Sequence, residues 1–204
     1  EGLESFFDSK NIKEPEYVKN IIISELKIGQ IKLDAKILLE FFNTFKQIHK
    51  AKSLESNLKK LLSLDKWILA TKDSIEIREQ QIQMSKSLFD LTKEFGFEYP
   101  YEKNKKSSWP LAWSWACFCF EITEFEMVEN FLYAWSANQL SAALRLIPMG
   151  STKSQLIQID LLAIISEVSR EIMDKKINDI YFGNVGLAMA QQNHNELYTK
   201  LFRN

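Results

Sequence analysis

The chain has 204 residues, enough for one large domain or two small ones around a real core. Apolar residues make up 46% and charged residues 26%, the balance of an ordinary globular protein, while a formal net charge of −1 with Lys and Arg spread along the chain leaves no basic stripe and so excludes a nucleic-acid partner. No stretch approaches the roughly 18 uninterrupted apolar residues of a membrane span, and the reading is a cytoplasmic protein.

The densest lysines, Lys103, Lys105 and Lys106, fall in an apparent loop and read as solvated. The two cysteines, Cys117 and Cys119, stand two apart on an expected helix and point about 200° apart. They can neither share a metal there nor form a disulfide, so they read as small buried apolar residues in a reducing compartment. The chain opens on Glu-Gly-Leu-Glu with no initiating Met and no signal-like region, and reads as entered part-way.

Helical spacing recurs throughout. Pro15 suits a first helical turn, followed by Val18, Ile21, Ile22 and Leu26. A second helix is expected over 33–48, with Ile37, Leu38, Phe41, Phe42 and Phe45 on one side, and a third over 54–70, with Leu58, Leu61, Leu62, Trp67 and Ile68. A fourth covers 74–95, with Ile75, Ile82, Leu88, Leu91 and Phe95 turned inward and Gly96 as its stop. Residues 97–108, "FEYPYEKNKKSS", form a polar loop broken by Pro100, without which the neighbouring helices are expected to be fixed. The helix over 109–122, "WPLAWSWACFCFEI", is apolar on nearly every face and must be buried all round or covered by a partner.

Thr123 and Glu126 form a capping box for a helix that runs to Ile147 and ends at Pro148. Thr152 and Gln155 are expected to cap the next, which extends to about Asp174. The tail, residues 194–204, ends on Leu197, Tyr198, Leu201, Phe202 and Arg203 at the spacing of an apolar helix face. Period-two runs and Asn-Gly or Asp-Gly turns are absent, so the expectation is all-α, a single helical domain over 1–204 with roughly eight to ten helices and no internal repeat.

Catalytic constellations are lacking. Only His49 and His194 carry imidazoles, and neither has acidic or His partners at metal-site spacing. His49 closes a helix, where a cationic side chain favours the dipole without any catalysis. No Glu-x-x-His pair, phosphate loop, Gly-x-Ser-x-Gly elbow or His-Glu-x-x-His occurs. In the helix over 124–147, Phe125, Val128, Leu132, Trp135, Gln139, Ala142 and Leu146 make an apolar seam with one polar member. Asn138 and Arg145 lie seven apart beside it. Either Arg145 keeps its head in water, or Asn138, Gln139 and Arg145 tie this helix to another segment, with Ala137, Ser141, Ala142 and Ala143 allowing close approach.

That block, Asn138, Gln139, Ala143, Arg145, Leu146, Pro148, Gly150, Thr152 and Gln155, resembles one in the urease accessory protein UreF family. Three further blocks agree in order. "EGLES" at 1–5 is similar to a Ser-Tyr-Ser-x-Gly-Leu-Glu segment, and residues 64–89 match through Asp65, Glu76, Arg78, Gln83, Met84, Ser87 and Leu88. The tail is similar to a His-Glu-x-x-Tyr-x-Arg-Leu-Phe-Arg-Ser ending. Departures are Ser85 and Ser154 for glycines, Ser151 for Gln, and Asn195, Lys200 and Asn204 for Glu, Arg and Ser; the two lost glycines bear on local geometry.

The resemblance implies a non-catalytic, dimeric helical protein. Such a protein binds UreD (also called UreH) and recruits the GTPase UreG for nickel insertion into apo-urease. No cofactor is held tightly, and nickel is handled by the complex. It further implies a partner-binding surface drawn from Gly2, Glu4, Glu76, Arg78, Asn138, Gln139, Arg145, His194, Glu196, Tyr198, Phe202 and Arg203. The chain's 14 Phe, 6 Tyr and 5 Trp suit a protein that covers large surfaces with other chains. The readings set against this are a helical enzyme or cofactor binder, such as a haem protein using His49, and a helical adaptor unrelated to urease.

Overall fold

The structure, a computed structural model, describes residues 14–50, 54–72, 74–101, 106–180 and 183. Among the described residues there are seven α-helices, one short 3-10 turn (Ile177–Asp179) and no strand. The helices are α1 (Pro15–Ile28), α2 (Gln30–His49), α3 (Leu54–Ala70), α4 (Ile75–Glu94), α5 (Trp109–Cys119), α6 (Glu124–Leu146) and α7 (Ser151–Asp174). The all-α expectation holds, but the described helices number seven rather than eight to ten. Each periodic run between Pro15 and Asp174 became one long helix, and the tail lies outside the described residues. By internal contacts the chain divides into two compact units, Asp34–Val128 and the residues on either side of that span.

In the unit formed by the flanking residues, α1 packs on α7. Val18, Ile22 and Leu26, at i, i+4 and i+8, are fully buried, as are Ile157, Leu161, Ile165, Val168 and Ile172 of α7. Two lysines bind carboxylates of α7: Lys19 Nζ donates to Asp160 at 2.8 Å and Lys32 Nζ to Glu171 at 2.7 Å. Between α1 and α2 the chain passes through Gly29, where a Cβ would stand 2.3 Å from Oε2 of Glu25 and 2.6 Å from its carbonyl oxygen, so only glycine fits. Gly183 N then donates to the Ile28 carbonyl at 2.8 Å, bringing the chain after α7 back to the end of α1. The expected Thr152 cap does not form. α7 starts two residues earlier, at Ser151, with Gly150 rather than Thr152 at the N-cap and no side-chain bond there.

In the Asp34–Val128 unit, α2 is buried along most of its length and emerges at Gln47 and His49. Each residue from Asp34 to Leu39 is enclosed, and Phe41, Phe42 and Phe45 are 0%, 2% and 1% exposed. On α3, Leu61 and Ile68 are buried as expected, but Trp67 is 43% exposed. Helix α4 departs furthest from expectation. Ser74 caps it by accepting from Ile77 N, and Gly96 stops it at φ 88°, yet Ile75, Leu91 and Phe95 face solvent and Ile82 and Leu88 are half-buried. Its buried residues are Gln81, Ser85 and Thr92.

The cause is the partner helix. α4 packs on α5, and which face of α4 turns inward follows from that neighbour rather than from hydrophobicity alone. Ser85 is 1% exposed, so its hydroxymethyl group is accommodated inside. Helix α5 itself is covered on one side only: Pro110, Leu111, Ala112, Ser114 and Trp115 are buried, while 116–119 are half-buried and Phe120 is 48% exposed.

The stretch after α4 is not merely a polar loop. Tyr99 lies 4.4 Å from the Phe89 ring and 5.3 Å from Trp115, and Tyr101 stacks on Phe45 at 6.4 Å. The capping box forms as expected, with Glu126 N donating to Thr123 Oγ1 and Thr123 N to Glu126 Oε2. Along α6 the buried stripe is rotated by about one residue from the expected seam. Val128, Leu132 and Gln139 are buried, but Phe125, Trp135, Ala142 and Leu146 are half-buried, and Phe131, Ser136, Leu140 and Ala143, with Ile147 just past the helix end, fill the core instead.

Candidate partner-binding surface

Of the expected surface residues, Glu76 and Arg78 sit in the first turn of α4, both half-buried. A carboxylate there complements the positive end of the helix dipole. Arg78 Nε donates at 3.1 Å to the Leu69 carbonyl at the end of α3, which also accepts from Lys72 N at 3.3 Å, so the side chain fastens α4 to α3. Below this turn lies a buried charged cluster that the sequence did not reveal. Lys72 Nζ reaches both carboxylate oxygens of Asp34, at 2.5 and 2.6 Å, and Gln81 Nε2 approaches the same group at 3.4 Å. A second buried carboxylate, Asp65 of α3, accepts from Ser108 N at 2.9 Å, and Ser108 Oγ accepts from Leu111 N. Asp65 thereby sits at the positive end of α5, where an anion is favoured.

On α6 the three expected residues occupy different environments. Gln139 is 8% exposed, whereas Asn138 and Arg145 are exposed, with Ser141 and Pro148 continuing the same exposed strip at helical spacing. Arg145 is the cation of the last turn, as the dipole favours. Gly2, Glu4, His194, Glu196, Tyr198, Phe202 and Arg203 lie outside the described residues.

Among the described residues no group of three or more His, Cys, Asp or Glu side chains could hold a metal ion. His49 ends α2 as expected, with its ring 5.9 Å from Phe118. Cys117 and Cys119 are free and half-buried rather than fully buried. Burial alone pushes the Cys117 thiol up to about 12 and the Cys119 thiol up to about 11. The thiolate is the reactive form, so at neutral pH both cysteines are expected to react with iodoacetamide roughly a hundredfold or more slowly than an unburied thiol, Cys119 ahead of Cys117. Mass-spectrometric labelling rates, with and without urea, check this; rapid native labelling of either cysteine would contradict it.

Residues 12–162 match the family model for UreF. The chain belongs to the UreF family. It is 77% identical over 204 residues to the urease accessory protein UreF of Prochlorococcus marinus (strain MIT 9312), covering all of this chain and 90% of that one. The UreF of Prochlorococcus marinus subsp. pastoris (strain CCMP1986 / NIES-2087 / MED4) is 64% identical with the same coverage, and that of Synechocystis sp. (strain ATCC 27184 / PCC 6803 / Kazusa) is 32% identical over 210 residues, covering all of this chain and 89% of that one. The family match runs from before α1 into α7 and so contains Glu76, Arg78, Asn138, Gln139 and Arg145. No helix among the described residues is long and apolar enough to cross a membrane.

Proposed function

We propose that this UreF-family chain acts in the cytoplasm as a non-catalytic urease accessory protein: a homodimeric scaffold that binds a UreD/UreH-type protein and recruits a UreG-type GTPase, so that nickel passes into apo-urease. Nickel is cargo of the assembly and no cofactor is held by this chain. The observation that carries the reading is identity of 77% along the whole chain to a protein named urease accessory protein UreF. The exposed strip of α6 with Asn138 and Arg145 in one unit, and Glu76 and Arg78 at the start of α4 in the other, are the described residues proposed to meet partners.

Co-expression with UreD- and UreG-type proteins of a related organism, followed by size-exclusion chromatography, tests it. The expected result is a binary complex with the UreD-type protein that then retains the GTPase; three folded proteins eluting apart would overturn the proposal. Removing residues 194–204 is expected to leave the circular dichroism and thermal transition of the chain intact while reducing retention of the partners. A truncated chain that fails to fold would assign the tail to the core instead.

A further inference from the structure

At one end of the Asp34–Val128 unit the carboxyl ends of α4 and α5 come together. Each finishes in the same way. Phe97 N donates to the Thr92 carbonyl and Gly96 N to that of Lys93, while Ile122 N donates to Cys117 and Glu121 N to Phe118. Both are Schellman caps, a motif that places its penultimate residue in the left-handed region. In α4 that residue is Gly96, at φ 88°; in α5 it is Glu121, at φ 55°, a conformation that a non-glycine residue adopts at a cost.

The side chains carried by these caps are apolar and face solvent. The Phe120 ring stands edge-on to Phe95 at 5.7 Å and to Phe97 at 5.3 Å, with the three rings 48%, 62% and 37% exposed. Leu91, one turn before Phe95, and Ile122, beyond Phe120, extend the patch at 52% and 36% exposure. Scattered exposed apolar residues are ordinary, but a contiguous aromatic cluster on a water-soluble surface marks a contact site.

Around the rings the charge has one dominant sign. Asp90, Glu94, Glu98 and Glu121 are all exposed, against Lys93, whose ammonium is 3.8 Å from Glu98. Helix carboxyl ends already carry partial negative charge, and favour cations rather than carboxylates. Two helix carboxyl ends and four carboxylates, against one ammonium, therefore leave a net negative charge on these two helix ends and their caps. Glu121 combines an unfavourable φ with an unfavourable charge, a local cost that the packing of α5 does not require, since glycine would serve the cap.

We propose that this patch docks a protein segment of complementary chemistry, an amphipathic stretch whose apolar side chains seat on Phe95, Phe97 and Phe120 and whose flanking Lys or Arg residues meet Glu94, Glu98 and Glu121. Apolar anchors supply affinity in such a contact, and the charged rim supplies orientation and rate. The patch's chemistry is the same whichever assembly the chain serves.

The probe is a fluorescein-labelled synthetic helix of leucine, phenylalanine and lysine, compared with a counterpart bearing glutamate for lysine, in fluorescence anisotropy at low and high salt. The lysine peptide is expected to bind about tenfold or more tightly than the glutamate peptide, with the difference shrinking at high salt. Phe95→Ser with Phe120→Ser is expected to weaken the lysine peptide about tenfold with the helical signal retained. Glu94→Lys with Glu98→Lys keeps the rings and is expected to reverse the preference between peptides. Glu121→Gly is expected to raise the thermal midpoint while weakening the lysine peptide, a pairing that a purely structural residue would not produce. Equal binding of both peptides would overturn the proposal, as would unchanged binding in the serine pair. So would a dimer, seen by light scattering, that the serine pair dissociates, because the patch would then belong to a second copy of the chain.

Discussion

Replacing Lys72 with methionine is expected to lower the unfolding free energy by about 3–5 kcal/mol, measured by urea denaturation. The methionine fills the space of the aliphatic stem, so the loss reports charge rather than volume. Lys72 and Asp34 have side chains 2% and 4% exposed, and the ammonium contacts both carboxylate oxygens. Once it is gone, the Asp34 carboxylate loses its bidentate cationic partner while it stays withdrawn from water. Removing the whole cluster should be less harmful than halving it. Lys72→Met combined with Asp34→Leu and Gln81→Leu is expected to recover most of the loss, because no unpaired charge is left behind. A loss below about 1 kcal/mol for Lys72→Met alone, the scale of an exposed pair, would show that water reaches the site. The cluster also anchors the start of α4, where Glu76 and Arg78 lie, so the same variant links stability to the proposed surface.

Helix positions were legible because the signals behind them are local. Pro15, Gly96 and the Thr123–Glu126 box act within a few residues of chain, and each does in the fold what its chemistry dictates. Which face of a helix turns inward depends on the neighbour. On α4 the apolar residues that satisfy helical periodicity are Ile75, Leu91 and Phe95, yet these face water while Gln81, Ser85 and Thr92 are enclosed. Periodicity weighs hydrophobicity alone, whereas the face that is enclosed depends on the helix packed against it, here α5. The same reasoning covers 97–101. Its alternation of Phe97, Tyr99 and Tyr101 was visible, but Pro100 and the adjoining lysines pulled the reading toward a solvated loop.

The site was legible differently. The blocks that indicated UreF are sequence matches, and the UreF family model matches over residues 12–162, a span that contains two of the four. What those residues do physically was not in the pattern. Asp65 was visible only as a matching letter; its part in holding Ser108 N depends on α5 beginning beside α3. Asp34 and Lys72 are 38 residues apart and carry no motif, so nothing short of the fold pairs them. The acidic aromatic end of α4 and α5 escaped for a related reason: Phe95 was expected to point inward, and Glu121 resembles any other surface glutamate until its φ is known.

Phe45→Ala is expected to cost about 3–5 kcal/mol, the range for emptying a buried phenyl site, and to fall toward the upper end of it. The ring is 1% exposed and has four aromatic neighbours: Trp115 at 5.4 Å, Phe118 at 5.8 Å, Tyr99 at 6.3 Å and Tyr101 at 6.4 Å. Pairs in such edge-on and stacked arrangements add about 0.5–1.5 kcal/mol beyond burial, and one truncation removes all four at once. Phe45→Leu retains most of the volume and should cost distinctly less, which separates cavity from ring geometry. Because Tyr99 and Tyr101 rest on this ring, Phe45→Ala should also loosen 97–101 and make it a site of limited proteolysis, whereas Phe45→Leu should protect it. Phe95→Ala, at a 62% exposed position, is the control and should stay within about 0.5 kcal/mol of the parent. If Phe45→Ala proves as mild as Phe95→Ala, the aromatic cluster is not what holds the chain after α4 against α2 and α5.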